Sequence, residues 1–138
     1  MIHGSCLCGA VAFEIDGELT AIQLCHATRC RKATGAAYAP ELLGEAARLR
    51  WTRGAERVRT YRAPLLSEPP PYVKAFCDTC GSPMPAAIEG TPFVNINAGV
   101  LDDDPGTRPA RHAFVAQRAC WHEIADALPR HDGRPPRE

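Results

Sequence analysis

Residues 4–9 read Gly-Ser-Cys-Leu-Cys-Gly and residues 76–81 read Phe-Cys-Asp-Thr-Cys-Gly, so two cysteine pairs flanked by glycine lie far apart in the chain. Two thiolates on one tight turn can bind the same ion, and glycine lets the backbone amides turn toward the sulfurs. Together the turns supply four sulfurs, the closed tetrahedral shell that structural zinc prefers. The pairs therefore predict one structural zinc that pins an N-terminal hairpin to a hairpin in the middle of the chain. Its predicted ligands are Cys6, Cys8, Cys77 and Cys80.

Two other interpretations of these cysteines stay open. They could be buried thiols without a metal, or the second pair could be a redox Cys-x-x-Cys motif. A thioredoxin-type motif needs a βαβ setting. The stretch around residues 77–80 is instead rich in strand formers, and no long helical pattern follows it. The setting therefore favours a metal site.

The charge balance argues against a polyanion as the main partner. The chain of 138 residues has 16 basic and 16 acidic residues and a formal net charge of zero, so nucleic acid and anionic membranes are not expected partners. The N-terminus lacks the apolar run of a secretory signal, and no stretch of about 20 apolar residues occurs. We therefore expect the protein in the cytoplasm, where thiols stay reduced. In that compartment, seven cysteines indicate metal binding rather than disulfides.

Short alternating segments predict an all-β, or β-rich, fold. In residues 11–15, Val, Phe and Ile alternate with Ala and Glu, the pattern of a half-buried strand. One short helix is predicted over residues 28–34, with Thr28 as candidate N-cap and Gly35 as the stop. The predicted strands cover residues 11–15, 21–25, 49–52, 58–62, 72–76, 84–88, 93–98 and 112–116.

The length of the chain is that of one domain. We expect a single zinc-stapled β domain over residues 1–130. The polar, proline-rich residues 131–138 are expected to form a frayed tail.

A further thiol-bearing segment, residues 25–35, reads Cys-His-Ala-Thr-Arg-Cys-Arg-Lys-Ala-Thr-Gly. With this segment and its flanks, the chain resembles the glutathione-dependent formaldehyde-activating enzyme family, to which centromere protein V is also related. The stretches that carry the resemblance occur in order along almost the whole chain. They are residues 4–11, 25–35, 76–82 and 99–103, His112, Trp121 and residues 128–129.

The resemblance implies a fold of several coiled, mostly antiparallel sheets around a structural zinc at the four cysteine positions named above. It also implies a second zinc, held by three cysteines of a Cys-His-Cys-x-x-Cys segment, and a carbon–sulfur lyase type of activity on glutathione and formaldehyde. Three protein ligands leave a fourth position open, which is typical of catalytic zinc. An open zinc can hold a thiol as thiolate at neutral pH or polarise an aldehyde oxygen.

The chain departs from the family pattern at the middle cysteine, where Ala27 has no ligand atom. Cys25 and Cys30 remain as candidate catalytic residues, but two thiolates alone make a weak zinc site. No spacing argument favours one replacement ligand over another. We therefore expect one structural zinc, whereas a second ion depends on a replacement, and without an ion Cys25 and Cys30 could form a disulfide in air. The candidate replacements are His26, Cys120, His122 and a bound thiol.

Arg29 and Arg31 flank Cys30 and are candidate binding residues for the carboxylates of a tripeptide thiol. With Lys32 they could also lower the pKa of Cys30. The other interpretation is that these cations form a solvated face of the short helix.

These residues are compatible with three functions. The favoured one is a zinc protein of carbon–sulfur lyase type that acts on glutathione, or a similar small thiol, and its aldehyde adduct. The alternative is a non-catalytic, zinc-stabilised binding module that has lost the second site, which the alanine at position 27 favours. A nucleic-acid-binding zinc ribbon is disfavoured by the neutral charge balance.

Overall fold

The computed structural model describes residues 1–66 and 68–136. In this part of the chain, short turns and single-turn 3₁₀ helices join eleven β-strands and one α-helix. The strands are β1 (Ile2–Ser5), β2 (Ala12–Ile15), β3 (Ile22–Cys25), β4 (Ala39–Glu45), β5 (Leu49–Arg53), β6 (Val58–Arg62), β7 (Val73–Cys77), β8 (Pro83–Met84), β9 (Ala86–Ala87), β10 (Phe93–Asn97) and β11 (Pro109–Ala113), and the helix is α1 (Thr28–Thr34).

The strands form three sheets. Their orders are β1-β2-β5, β11-β3-β4-β10-β9 and β6-β7-β8. Strand β11 runs parallel to β3, and the other pairs of described strands are antiparallel. The predicted fold, β-rich with mostly antiparallel sheets and one short helix, is confirmed.

One cluster of buried side chains draws on all three sheets. Phe13 comes from the first sheet, Leu42 and Ile96 from the second, and Ala75 from the third. Cys6 and Cys77 belong to the same cluster. The two cysteine turns are therefore anchored at the point where the sheets share their core.

Within the first sheet, Gly4 faces Phe13 across the strand pair. The phenyl ring, 1% exposed, covers this glycine so closely that a Cβ on Gly4 would lie 2.2 Å from its Cζ. Trp51 packs edge-on against the same ring, with a centroid distance of 5.9 Å. The glycine that precedes the first cysteine pair is thus required for close packing.

Most predicted strands occur within one or two residues of their expected ends, and β6 has the predicted bounds. The strand predicted over residues 84–88 is instead split into β8 and β9, and the strand predicted over residues 112–116 begins and ends three residues earlier, as β11. The alternating pattern fails to predict β1 and β4. In β4, Pro40 and Gly44 interrupt the apolar residues, and both residue types ordinarily weaken a strand prediction.

Helix α1 has the predicted bounds, and Gly35 ends it as expected. The glycine has φ of 67°, and its N–H donates to the carbonyl of Arg31 at 2.8 Å. The prediction of Thr28 as N-cap was wrong, because Ala27 holds that position. The N–H of Thr28 instead donates to Oε1 of Gln117 at 2.9 Å, a partner distant in sequence. Among the described residues, no helix is long and apolar enough to cross a membrane.

The C-terminal residues follow the edge strand β11. The N–H of Phe114 donates to the carbonyl of Gly133, and the N–H of Val115 donates to that of His131. His131 in turn donates its N–H to the carbonyl of His112. The domain boundary at residue 130 stays a prediction.

Replacing Gly4 by alanine is expected to lower the free energy of unfolding by about 1–3 kcal/mol, because the new methyl group overpacks against Phe13. Urea denaturation measures this loss. Gly99→Ala is the matched control, since a Cβ at Gly99 meets nothing within 4 Å, and its effect should stay within about 0.5 kcal/mol. Equal stability of the two variants would contradict the close packing of Gly4.

Candidate metal centres

The first centre consists of the four sulfurs of Cys6, Cys8, Cys77 and Cys80, which all lie within 4.8 Å of one another. The Cys6 and Cys8 sulfurs are 3.6 Å apart, and those of Cys8 and Cys77 are 3.9 Å apart. Two sulfurs bound at about 2.3 Å to one tetrahedral ion are separated by about 3.8 Å. The four side chains are therefore arranged to hold one metal ion.

The two turns of the first centre use the same backbone pattern. The N–H of Cys6 donates to the carbonyl of Val11, and the N–H of Cys77 donates to that of Ser82, both at 3.0 Å and both five residues on. Each turn contains a glycine with φ of 78°, Gly9 in one and Gly81 in the other. This left-handed conformation is favourable only for glycine, which explains the glycine that follows each cysteine pair.

Backbone amides and one hydroxyl support the sulfurs. The N–H of Val11 donates to Sγ of Cys6 at 3.3 Å, and the N–H of Thr79 donates to Sγ of Cys77 at 3.4 Å. Ser82 lies 3.4 Å from the sulfur of Cys80 and accepts a hydrogen bond from the N–H of Leu7 at 2.8 Å. Hydrogen bonds from Ser82 lower the pKa of Cys80 to about 5, which favours the thiolate that a metal requires.

The second centre consists of Cys25, Cys30 and Glu41. Cys25 ends β3, Cys30 lies in α1 and Glu41 lies in β4, so a helix and two paired strands converge on it. The sulfur of Cys30 is 2.9 Å from the sulfur of Cys25 and 3.1 Å from Oε1 of Glu41. Thiolate and carboxylate are both ligands of zinc, so the donor set fits a metal ion. The two sulfurs lie about 0.9 Å closer than the 3.8 Å expected on one tetrahedral zinc, so an ion would have to separate them.

Apolar side chains pack against one side of the second centre. Cys25, Cys30 and Ala39 are buried together, and Ala27, Tyr72 and Phe114 pack against them. On the polar side, Nδ2 of Asn95 donates to Oε2 of Glu41 at 2.9 Å.

Burial raises the pKa values of Cys30 and Glu41 in the second centre. The hydrogen bond with Cys25, burial and the nearby Glu41 raise the pKa of Cys30. Burial raises the pKa of Glu41, against hydrogen bonds from Cys30 and Asn95 that lower it. Three negative charges in such a pocket are stable together only when a cation balances them.

A sequence model of the glutathione-dependent formaldehyde-activating enzyme family matches residues 1–117. The chain belongs to this family. A protein of Halomonas elongata that is named after the same family is 32% identical over 128 residues, which make up 90% of this chain and 81% of that protein. The crystal structure of a Rhodobacter sphaeroides protein matches with a TM-score of 0.55 and 27% identity, over 78% of this chain and 97% of that one. The resemblance inferred from the motifs is confirmed.

In this glutathione-dependent formaldehyde-activating enzyme family member, the structure brings together both predicted sets of cysteines. Sequence reasoning missed Glu41, because no motif connects it to Cys25 and Cys30. The pairing of β3 with β4 is the signal that would have found it: Cys25 pairs with Ala39, and Glu41 lies two residues further along the same face of β4. The strand that carries Glu41 is one that the alternating pattern does not predict.

His26 does not reach the second centre. It follows Cys25 in the chain, and its fully buried ring packs instead against Tyr38, His112 and His122. Its Nε2 is 2.8 Å from Nδ1 of His112, whose Nε2 is 3.0 Å from both carboxylate oxygens of Asp126. Because the carboxylate accepts the proton of His112, Nδ1 of His112 accepts the Nε2–H of His26. Burial and the nearby His112 lower the pKa of His26 to about 4, so the ring is neutral at pH 7.

The other candidate replacements also lie elsewhere. His122 stacks on the ring of His26, with centroids 5.9 Å apart. Cys120 is exposed, and it belongs to neither group of potential ligands found among the described residues.

The two candidate binding arginines make backbone contacts. Nη2 of Arg29 donates to the carbonyl of Pro64 at 2.6 Å, which ties the loop after β6 to the helix. Nε of Arg31 donates to the carbonyl of Gln117 at 3.2 Å. A guanidinium has five N–H donors, so each residue keeps donors for another partner.

If the first centre holds a metal ion, that ion joins two sheets, so replacing Cys80 by serine is expected to prevent metal binding there and to lower the free energy of unfolding by about 4 kcal/mol or more. Elemental analysis and thermal unfolding measure the two effects. Cys120→Ser is the matched control, because Cys120 is an exposed thiol outside both centres. A Cys80→Ser variant with full metal content and an unchanged melting temperature would contradict this assignment.

Replacing His112 by phenylalanine is expected to cost about 1–3 kcal/mol, because it leaves the Nε2–H of buried His26 without an acceptor. The double variant His26→Phe/His112→Phe should lose less than the sum of the two single losses, by about 0.5–3 kcal/mol. Urea denaturation of the four proteins in the cycle measures this coupling. Additive losses would show that the two rings are not energetically linked.

Proposed function

We propose that the protein is a zinc enzyme of carbon–sulfur lyase type that acts on glutathione, or a similar small thiol, and its aldehyde adduct. The observation that carries the proposal is the second centre. In a chain of the glutathione-dependent formaldehyde-activating enzyme family, Cys25 and Cys30 lie together in an apolar pocket with a third acidic side chain. The family name supports glutathione as the thiol and formaldehyde as the aldehyde. The protein would work in the cytoplasm, where glutathione is abundant and thiols stay reduced.

The two centres would have different roles. Cys6, Cys8, Cys77 and Cys80 would hold a structural zinc, since four thiolates close its tetrahedral shell. Cys25 and Cys30 would be the catalytic residues and hold a second zinc, which when bound would supply Lewis acidity and stabilise a thiolate at neutral pH.

The reaction itself needs no redox partner. In the forward direction, the thiol sulfur bonds to the carbonyl carbon, and the thiol proton ends on the carbonyl oxygen. The product is an S-hydroxymethyl thioether, and the reverse reaction breaks the same carbon–sulfur bond and returns the proton to sulfur. The protein therefore has to position a thiol and an aldehyde and to move one proton.

Several side chains suit these tasks. Ala27, Tyr72 and Phe114 form the apolar side of the pocket and would exclude water from the reacting groups. Arg29 and Arg31 lie on the helix that carries Cys30 and would bind the carboxylates of the tripeptide with their remaining donors. Burial and the nearby acidic groups raise the pKa of Tyr72, so its hydroxyl keeps its proton and can donate a hydrogen bond.

A second candidate function is a non-catalytic binding module. Ala27 favours it, because a methyl group cannot replace the family's middle cysteine as a ligand. Such a module would keep the structural zinc and bind a thiol without converting it.

Addition of glutathione is expected to shift the amide signals of residues 25–35 in a nitrogen-15-labelled protein, and addition of formaldehyde should then produce turnover. Replacing Cys25 by serine should lower that turnover by about 100-fold or more, because a ligand of the reacting centre is lost. Cys120→Ser is the control on the protein side, and S-methylglutathione, whose sulfur is blocked, is the control on the ligand side.

Binding without turnover would favour the non-catalytic module. If glutathione shifts no amide signal of residues 25–35 and aldehydes are not turned over, both functions are contradicted.

A further inference from the structure

We propose that Glu41 is the third protein ligand of the second centre. It would replace the middle cysteine of the family pattern, whose position is held here by Ala27. This inference rests on the proposed function, because it requires a metal ion at the second centre. It adds to that function a residue that the family's cysteine pattern does not contain.

The pairing of the strands directs Glu41 toward the two cysteines. Cys25 pairs with Ala39 and Gln23 pairs with Glu41, so Ala39 and Glu41 lie on one face of β4 beside Cys25. Helix α1 places Cys30 over the same face, 3.1 Å from Oε1 of Glu41. The three potential ligand atoms lie within 4.8 Å of one another.

Asn95 orients the carboxylate. Its Nδ2 donates to Oε2 of Glu41 at 2.9 Å, while Oε1 faces Cys30. A metal-binding carboxylate is ordinarily held by such a hydrogen bond to its second oxygen. The amide therefore leaves one oxygen directed at the centre.

Charge supports the same assignment. Two thiolates and one carboxylate carry the same total charge as three thiolates. With Glu41 as the third ligand, the net charge of the centre with a divalent ion is therefore the same as with three cysteines. Among the ion pairs formed by the described residues, none involves Glu41. Lys74 lines the same small cavity, but its Nζ donates to the carbonyl of Ala33 at 2.5 Å. A partly buried carboxylate with two thiols beside it is suited to a bound cation.

The other side chains considered as replacements are less suitable. His26 donates its Nε2–H to His112, and its ring packs away from the cysteines. His122 stacks on that ring, and Cys120 is exposed. The positions of the ligand atoms, the strand pairing and the hydrogen bond to Cys30 all direct Glu41 to the two cysteines.

The test compares metal binding by the wild-type protein and by Glu41→Gln, which keeps the shape of the side chain and removes its charge. We expect two zinc ions per chain in the wild-type protein and one in Glu41→Gln, with the affinity for the second ion lowered by about 100-fold or more. Glu45→Gln is the matched control, because Glu45 is an exposed carboxylate at the end of the same strand, and it should bind two ions.

A compensating variant makes the test specific for the ligand role. Ala27→Cys/Glu41→Gln supplies a thiolate beside the two cysteines, since Ala27 packs against them, and it should recover the second ion. With cobalt(II) in place of zinc, the thiolate-to-metal absorption per ion at the second centre should be stronger in this variant than in the wild-type protein, because three sulfurs replace two.

The outcomes separate this inference from the proposed function. Two ions of unchanged affinity in Glu41→Gln would show that Glu41 is not a ligand, whatever the response to glutathione. A wild-type protein with one ion would overturn both this inference and the second zinc of the proposed function, and the glutathione experiment would then show whether the two cysteines act without a metal. If Glu41→Gln does not fold, Glu41→Asp keeps the charge and withdraws the oxygen by one methylene. An affinity of that variant for the second ion within about 10-fold of wild type would overturn the inference.

Discussion

Four sulfurs from two distant turns meet at the first centre, and this contact joins two sheets that no strand pairing connects within residues 1–66 and 68–136. The turn with Cys6 and Cys8 lies between β1 and β2 of one three-stranded sheet, whereas Cys77 ends β7 of the other. The shared core continues this junction inward through Cys6 and Cys77. Metal binding at this point would therefore be coupled to folding of both sheets, and the second centre is built on the five-stranded sheet, which contributes to the same core.

The two centres differ in the surroundings that the fold gives to their sulfurs. At the first centre, backbone N–H groups and Ser82 contact the sulfurs, and their separations already match a tetrahedral shell. At the second centre, an apolar wall faces two crowded thiols, and the polar contact comes from a carboxylate. Dense hydrogen bonding suits an ion that stays in place, whereas an apolar pocket with fewer protein ligands suits one that also contacts a substrate.

The sequence predicts that the four cysteines of the first centre lie together, because they occur in short motifs whose glycines adopt a left-handed conformation. It also predicts the short helix from Gly35, whose left-handed conformation depends on its own residue type. The third acidic residue of the second centre lies beyond such reasoning. Glu41 lies close to Cys25 because β3 pairs with β4. Pro40 interrupts the alternating pattern of β4, so this strand is not predicted from the sequence. The register between two strands that are distant in sequence depends on both strands, so the residue pattern of one strand alone does not predict it.

Neighbouring residues at the end of β3 serve two separate polar networks. Cys25 contributes to the dithiol site, and His26 continues the chain of hydrogen bonds from Asp126 through His112. A shift of one residue along the strand would exchange the faces of these two side chains. Pairing with β4 on one edge and β11 on the other holds the strand against such a slip. Insertions and deletions in this strand would therefore be removed by selection even where every ligand residue was retained.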